Sequence, residues 1–233
     1  MSAAPSIRGV LFDLDGTLLD TAPDMADTLN ALRAEEHLPP LAFSAIRNFV
    51  SHGSLALVRL GFEAADPERF EILRARFLEL YRARLTARTQ PFEGIPALLA
   101  ALEQSDIPWG IVTNKPGWLT EPLLQGLGLY TRAAAVVSGD TLAQRKPHPA
   151  PLLHAARQLG IAPEACVYVG DAERDVLAAR AAGMPALVAS FGYIRDEERP
   201  YLWPADAWVD SPLGVLDWLE TRALLRRPLA IAP

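Results

Sequence analysis

The segment Ile7–Thr17, with the sequence IRGVLFDLDGT, decides the fold of this chain. Its apolar residues up to Phe12 form a short run rich in branched side chains, which predicts a strand buried on both faces. Asp13 and Asp15 follow at the carboxyl end of that strand, and their spacing of two places both side chains on one side of an extended backbone. An ordinary Asp-Gly hairpin turn is the competing interpretation of these residues.

Four further apolar runs of the same kind follow, separated by helical stretches whose apolar residues recur with a period of about 3.6 residues. This alternation predicts a parallel sheet wrapped by helices. The predicted fold class is therefore α/β, with a Rossmann-like, doubly wound parallel sheet. The four strands are predicted at 109–113, 134–138, 166–170 and 186–189.

The interval from residue 21 to residue 87 breaks this rhythm, because it contains helical patterns and no convincing strand. Thr21 can cap the first of these helices, and Pro67 opens another. We therefore predict an inserted α-helical cap domain after the first strand, at 21–87. Residues 1–20 and 88–233 would form the α/β core domain, and the two connecting segments could act as a hinge.

Two more carboxylates follow a second predicted strand, in the segment Gly170–Asp175, GDAERD. Asp171 falls at the strand end, and Asp175 reaches the same crevice if a helix begins between them. Helix capping by Asp171 and a surface ion pair for Asp175 form the competing interpretation. Bringing Asp171 beside Asp13 and Asp15 would be strongly repulsive without a cation, and oxygen-only ligands point to Mg²⁺.

Polar and cationic residues follow two more predicted strands. Thr113 and Asn114 offer a hydroxyl, an amide and backbone N–H groups, which together can bind phosphate oxygens. Lys146 precedes a proline that fixes the chain, which suits a lysine held inward as a compact positive charge. Taken singly, a strand-to-helix turn and a solvated lysine explain these segments better. The joint order of the four segments on four strand ends is much more specific.

The four segments resemble the four motifs of haloacid dehalogenase-type phosphatases, and the resemblance covers essentially the whole chain. They are Asp-x-Asp-Gly-Thr at 13–17, Thr-Asn at 113–114, Lys-Pro at 146–147 and Gly-Asp-x-x-x-Asp at 170–175. The helical insertion and the stretch KPHPAPLL at 146–153 are similar to the phosphoglycolate phosphatase subgroup. WGIVTNKP at 109–116 and GDAERDV at 170–176 are similar to the branch that dephosphorylates N-acetylmuramic acid 6-phosphate in cell-wall recycling.

This resemblance implies a Mg²⁺-dependent mechanism with a covalent intermediate. Asp13 would attack phosphorus to form an aspartyl phosphate, because an ionised carboxylate is a competent nucleophile. Asp15 would protonate the leaving alcohol and then take a proton from the hydrolytic water. The metal would be held by Asp13, by Asp15 through its backbone carbonyl, and by Asp171. Asp175 would hold water molecules bound to the metal.

The resemblance also implies how the phosphate is bound. Thr113 and Asn114 would bind the transferring oxygens, and Lys146 would stabilise their negative charge and orient Asp13. Lys146 would therefore serve both catalysis and substrate binding.

The dehalogenases that this chain also resembles have no acid at the position of Asp15, because a halide leaving group needs no proton. The presence of Asp15 therefore separates this chain from them. A phosphate monoester hydrolase is therefore expected. A phosphoglucomutase-like phosphotransferase would retain all four motifs, and a catalytically silent phosphate-binding scaffold is a further alternative.

Substrate choice must come from the cap, because the four motifs contact only phosphate and metal. The turn Ser51–Ser54 is the best candidate to reach the substrate, with His52 as its binding residue; a helix-capping role for His52 is equally favoured. Arg47 could clamp a carboxylate, although a solvated arginine is the stronger expectation. Phe191–Tyr193 is expected to pack.

The resemblance limits the expected substrate to a small phosphorylated metabolite, either N-acetylmuramic acid 6-phosphate or 2-phosphoglycolate. An Asn-Gly pair is usual at the Ser51–Ser54 turn of ordinary phosphoglycolate phosphatases. This chain has His52-Gly53 there, which argues against phosphoglycolate.

Composition narrows the partners and the compartment. The net charge of -6 and the pI near 5.3 give no broad positive field for nucleic acid or an anionic membrane. The single cysteine, Cys166, is expected inside a strand and fits a reducing compartment, so a cytoplasmic location is expected. The sequence shows no secretion signal and no apolar run of ~20 residues, which predicts a soluble protein. It leaves the oligomeric state open, and the tail at 224–233 is expected to fray.

Overall fold

The computed structural model describes residues 6–221, so the predicted fraying of the tail at 224–233 lies outside them. The strands are β1 (Gly9–Phe12), β2 (Leu19–Asp20), β3 (Gln90–Pro91), β4 (Trp109–Val112), β5 (Ala135–Val137), β6 (Cys166–Gly170), β7 (Ala186–Ala189) and β8 (Ala207–Val209). The helices are α1 (Ala22–Glu35), α2 (Phe43–Arg47), α3 (Gly53–Gly61), α4 (Pro67–Arg82), α5 (Ile95–Gln104), α6 (Gly117–Gly126), α7 (Ala150–Leu159), α8 (Glu173–Ala181) and α9 (Gly214–Thr221).

A six-stranded sheet forms the centre of this region, in the order β5-β4-β1-β6-β7-β8, and all its pairings are parallel. From β1 the chain adds β4 and β5 on one side. It then crosses back and adds β6, β7 and β8 on the other. The direction of winding reverses between β1 and β6, and the carboxyl ends of strands at such a switch point form a crevice. The predicted doubly wound, Rossmann-like α/β sheet is confirmed.

Both faces of the sheet are covered by helices, and side chains alternate between them. Val10 and Phe12 of β1 belong to one apolar cluster with residues of α5, α6 and α9, whereas Leu11 belongs to another with residues of α7 and α8. The whole of β1 is buried. A strand buried on both faces must be apolar at successive positions, which explains why its sequence reads as one continuous run.

The insertion predicted after the first strand is helical. Helices α1 to α4 occupy the chain between β2 and β3, and these two short strands pair in antiparallel register where the insertion leaves and returns. Asp24 of α1 is fully buried and accepts hydrogen bonds from the backbone N–H groups of Arg88 and Thr89. These bonds attach the first helix of the insertion to the segment through which the chain returns to the sheet.

The predicted strands 109–113 and 134–138 extend beyond the observed β4 and β5 by Thr113, Ala134 and Ser138. Cys166 is a buried residue of β6, as predicted. Among residues 6–221, no helix is long and apolar enough to span a bilayer.

Candidate active site

The carboxylates of two motifs meet at the switch point of the sheet. Asp13 follows β1 directly, and its backbone N–H donates to the carbonyl of Val169 in β6 over 2.9 Å. Asp171 follows β6. Gly16 turns the chain with φ of +83°, and a Cβ atom there would lie 2.1 Å from Oδ2 of Asp171. Glycine is therefore required at position 16 both for its backbone conformation and for the close approach of Asp171.

Three carboxylates form a buried cluster at this point. One oxygen each of Asp13, Asp171 and Asp175 lies within 4.8 Å of the others, and all three side chains are buried. Lys146 Nζ lies 2.9 Å from Oδ1 of Asp13 and 2.7 Å from Oδ1 of Asp175. The structure thus brings together four residues that come from three different segments of the sequence.

Burial and charge together set the protonation of this cluster. Burial opposes ionisation of Asp13, but Lys146 and Arg174 hold the pKa of that carboxyl below its usual value. Burial, followed by repulsion from Asp13 and Asp175, raises the pKa of Asp171 to about 7. Burial also raises the pKa of Asp175, although Lys146 opposes the shift. The nucleophile candidate Asp13 is therefore ionised, whereas Asp171 carries its charge at a free-energy cost.

The cluster fits a hard divalent cation. Its donors are all oxygens, and a cation beside Asp171 would relieve the repulsion that raises its pKa. The hydroxyl of Ser51, from the insertion, donates to Oδ2 of Asp171 over 2.6 Å and lies 3.4 Å from the backbone carbonyl oxygen of Asp15. That carbonyl, predicted as a metal ligand, is therefore close to the cluster.

The side chain of Asp15 is held from two sides outside the carboxylate cluster. Thr21 Oγ1 donates to its Oδ1 over 2.7 Å, and Lys115 Nζ lies 2.9 Å from the same oxygen. Lys115 is buried and also donates to the hydroxyl of Tyr81 in α4 over 3.0 Å. Burial opposes the charge of Lys115, but Asp15 and Tyr81 raise its pKa. Asp15 is thus fixed beside Asp13 by a cation that also contacts the insertion.

Lys146 is positioned by residues of two strands. Its Nζ donates to the hydroxyl of Tyr168 over 2.7 Å, and that hydroxyl donates to the carbonyl of Val112 over 2.8 Å. Its backbone exchanges two hydrogen bonds with the amide of Asn114, of 2.9 and 3.1 Å. The peptide bond from Lys146 to Pro147 is cis. Asn114 thus anchors the residue that neutralises the carboxylate cluster.

A cavity of about 550 Å³ opens above this constellation. Asp13 and Asp15 line it, together with Thr113, Asn114 and Lys146. The metal-ligand candidates Asp171 and Asp175 are buried and do not line it. The five predicted residues that would contact phosphate therefore share one cavity, and their individual roles stay predictions.

His52 and Arg47 of the insertion contact the loop 190–199 that follows β7. His52 lines the cavity, its Nε2 lies 3.1 Å from Oε1 of Glu198, and its Nδ1 is buried without a partner. Burial lowers the pKa of His52, although Glu198 opposes the shift, and this favours the neutral imidazole. Arg47 donates to the carbonyls of Phe191 and Gly192. The guanidinium of Arg47 is thus held by backbone carbonyls of the loop, and its contact with a substrate stays a prediction.

The loop 190–199 also reaches the connecting segments of the insertion. Tyr193 is fully buried. Its hydroxyl donates a hydrogen bond to Oδ1 of Asp20 over 2.6 Å and accepts one from the N–H of Ala22 over 2.9 Å. Its own N–H donates to Oδ2 of Asp171 over 2.9 Å. Phe191 packs edge-on against Phe92. The expected packing role of Phe191–Tyr193 is confirmed.

The sequence did not predict the contacts that four residues make with the aspartates of the site. Two of them, Lys115 and Arg174, lie within the segments 109–116 and 170–176, and a positive charge shortly after a strand end was the signal that could have identified them. Arg174 Nη2 donates to the carbonyl of Ser51 over 2.7 Å and lies 4.0 Å from Oδ2 of Asp13. Ser51 and Tyr193 carry no comparable signal, because their contacts depend on the fold.

Comparison with known proteins identifies the family. Residues 10–189 match the family model described as haloacid dehalogenase-like hydrolase. A phosphoglycolate phosphatase from Xanthomonas campestris pv. campestris is 50% identical over 205 residues, covering 88% of this chain and 93% of the relative. An N-acetylmuramic acid 6-phosphate phosphatase from Pseudomonas aeruginosa is 42% identical over 219 residues, covering 94% and 96%.

A solved structure supports the same fold. It is a predicted phosphoglycolate phosphatase from Haemophilus somnus, with a TM-score of 0.81 at 24% identity, covering 91% of this chain and 97% of that one. The matched family model spans both the Asp13–Thr17 segment and the Gly170–Asp175 motif. This chain therefore belongs to the haloacid dehalogenase-like hydrolases.

Proposed function

We propose that this protein is a Mg²⁺-dependent phosphate monoester hydrolase that uses Asp13 as its covalent nucleophile. The observation that carries the proposal is the buried Asp13, which lines the cavity together with Asp15 and has Lys146 Nζ 2.9 Å from its Oδ1. The curated relatives named above are phosphatases of this family. The buried position of Asp13 keeps water away from a carboxylate that must attack phosphorus.

The residues of the cavity supply each step of such a reaction. Asp13 attacks phosphorus in line, forming an aspartyl phosphate as the alcohol leaves. Asp15 gives a proton to the leaving oxygen and then takes one from the water that hydrolyses the intermediate. Lys146 offsets the negative charge of the transferring group, and Thr113 and Asn114 would bind its oxygens.

The metal proposal rests on the buried carboxylate cluster. Asp13, Asp171 and the backbone carbonyl of Asp15 would hold Mg²⁺, with Asp175 on its water molecules. The ion would offset the repulsion between the carboxylates and phosphate and orient the group that is transferred.

The domain division predicted from the sequence remains part of this proposal. Residues 21–87 would act as the cap, and 1–20 with 88–233 as the core. Contacts of Ser51 and His52 with residues after β6 and β7 support a cap that lies over the cavity.

The substrate proposal starts from the names of the relatives. 2-Phosphoglycolate and N-acetylmuramic acid 6-phosphate each carry a carboxylate besides the phosphate. We therefore propose a small phosphorylated metabolite with a carboxylate as the substrate class. The cavity offers three arginines to a second negative charge, at positions 74, 145 and 174.

Hydrolysis assays test the proposed function. Purified protein is given both compounds and p-nitrophenyl phosphate, with Mg²⁺ or with chelator, alongside Asp13→Asn. Phosphate release that requires Mg²⁺ and is lost in Asp13→Asn is the expected result. Retention of full activity by Asp13→Asn would overturn the nucleophile assignment. Transfer of phosphate between sugar positions without release would favour a phosphotransferase, and binding without any turnover would favour a scaffold.

A further inference from the structure

The cavity extends well beyond the residues that would contact phosphate. Its volume of about 550 Å³ lies within the range of roughly 300–1,000 Å³ that holds drug-sized ligands. The outer walls come from α3, α4 and the start of α6. We call this region the outer pocket, and it is lined by Leu55, Arg74, Leu78 and Trp118. A two-carbon acid phosphate would leave the outer pocket unfilled.

The outer pocket is lined by an arginine that has hydrogen-bond donors without partners. Arg74 Nη1 donates to Oε2 of Glu71 over 2.9 Å. Its Nε is buried and has no hydrogen-bond partner, and Nη2 has none among residues 6–221. Arg74 also lines the cavity, and the remaining donors of its planar guanidinium can bind the oxygens of a carboxylate.

An aromatic and apolar surface lies in the same outer pocket. Trp118 remains 42% exposed and Leu55 52% exposed, although both line the cavity. The guanidinium of Arg82 lies 5.7 Å from the centre of the Trp118 ring. Exposed apolar groups on a concave wall are characteristic of ligand sites. The C–H face of a sugar ring can cover such a surface while its hydroxyls face water.

We propose that the outer pocket is a subsite for a hexose-sized group that carries a carboxylate. Trp118 packs against the sugar ring, and the guanidinium of Arg74 binds the carboxylate. This inference rests on the proposed phosphatase function and narrows its substrate class to sugar-acid phosphates. It makes Arg74 and Trp118 specificity-determining residues, and neither takes part in the transfer of phosphate.

Four substrates separate the two contacts. N-acetylmuramic acid 6-phosphate has ring and carboxylate, N-acetylglucosamine 6-phosphate has the ring alone, 2-phosphoglycolate has the carboxylate alone, and p-nitrophenyl phosphate serves as a generic ester. Arg74→Gln should raise KM about tenfold or more for the first compound and leave the second unchanged. Trp118→Ala should raise KM for both sugar phosphates, and Trp118→Phe should retain wild-type values. Arg69→Gln, at an exposed position of α4 paired with Glu36, is the matched control.

A binding measurement keeps the subsite separable from the phosphatase function. In the Asp13→Asn background, calorimetry with N-acetylmuramic acid 6-phosphate and Mg²⁺ should show weaker binding when Arg74→Gln is added. Equal KM changes for all four esters, or no change for any of them, would overturn the subsite. Turnover of p-nitrophenyl phosphate would in that case still support the hydrolase function. If wild type hydrolyses nothing, the proposed function fails. Binding that is then unaffected by Arg74→Gln would overturn the subsite as well.

Discussion

Lys146 is the charged residue on which the carboxylate cluster depends. Its side chain is completely buried between Asp13 and Asp175, and it lies within 2.9 Å of both. A buried ion pair that loses one partner leaves an uncompensated charge in a medium of low dielectric constant. The position of Lys146 therefore matters to folding as well as to phosphate binding.

Removing this charge should destabilise the protein. Lys146→Gln leaves Asp13 and Asp175 uncompensated, and we expect a loss of about 3–5 kcal/mol in the free energy of unfolding, measured by urea denaturation in chelator. The double variant with Asp175→Asn should recover part of that loss. Arg180→Gln, which breaks an exposed pair with Asp206, should change stability by about 1 kcal/mol or less. Equal stability of Lys146→Gln and wild type would contradict the burial argument.

Asp171 should make metal binding depend on pH. With a pKa of about 7, raised by burial and by Asp13 and Asp175, its carboxyl is mostly protonated at pH 6 and ionised at pH 8. Mg²⁺ must displace that proton at the lower pH. We expect Mg²⁺ affinity to increase from pH 6 to pH 8, with proton release greater at pH 6, by calorimetry in two buffers. An affinity that is constant over this range, without proton release, would show that Asp171 does not bind the ion.

The raised pKa of Asp171 also affects the stability of the metal-free protein. Because the pKa of Asp171 is raised in the folded state, the folded protein binds the proton more tightly than the unfolded chain. This contribution to stability is complete below about pH 4 and is lost as the pH rises through about 7. In chelator, Asp171→Asn should therefore gain stability relative to wild type at pH 8, and the gain should shrink toward pH 5 in thermal unfolding. A gain independent of pH would contradict the assignment.

The residues of the site differ in how far sequence predicts them. Asp13, Asp15 and Asp171 could be placed together because each follows a buried strand, and parallel strands bring their carboxyl ends to one edge. The contact of Lys115 with Tyr81 could not, because it joins residues 34 positions apart on core and insertion. Contacts between elements depend on helix packing angles, which local patterns do not specify.

At the scale of elements, four of the five predicted strands share one property that the missed strands lack. β1, β4, β6 and β7 are fully buried, so their sequences are continuous apolar runs. β8 has three residues, and its Trp208 is 43% exposed at the edge of the sheet. β2 and β3 have two residues each, which is too short for any alternation to be visible.

The loop 190–199 makes non-covalent contacts with the cap and with its connecting segments, and Tyr193 makes the buried hydrogen bonds to Asp20 and Ala22. Tyr193→Phe removes the hydroxyl that binds Asp20 and the N–H of Ala22, leaving both groups short of a partner. We expect a loss of about 1–3 kcal/mol in stability, together with lower kcat, because the connecting segments lose their anchor. Thermal unfolding and steady-state kinetics measure both effects. Tyr201→Phe, at an exposed position, is the control, and equal behaviour of the two variants would contradict the role of Tyr193.

At the scale of the whole molecule, a ligand in the cavity would contact cap and core together. Mg²⁺ with inorganic phosphate should raise the melting temperature, since only the folded protein binds them. Hydrogen exchange should slow in the turn 51–54 and in the loop 190–199, because Ser51 and Tyr193 both donate to Asp171. Mg²⁺ alone and chelator are the controls. Slowing confined to the sheet would show that the cap does not respond to the ligand.

The contacts between the insertion and the loop 190–199 join positions that are about 145 residues apart. They pair Arg47 with Tyr193, Phe49 with Arg195, and His52 with Glu198. A substitution at one of these cap residues therefore requires a compatible residue at the paired position of the loop. In an alignment of homologues these pairs should covary, and a chimera that takes the cap from a relative should need that relative's loop 190–199 as well. Substrate choice would then depend on two separate segments of the chain, the cap and the loop 190–199, that evolve together.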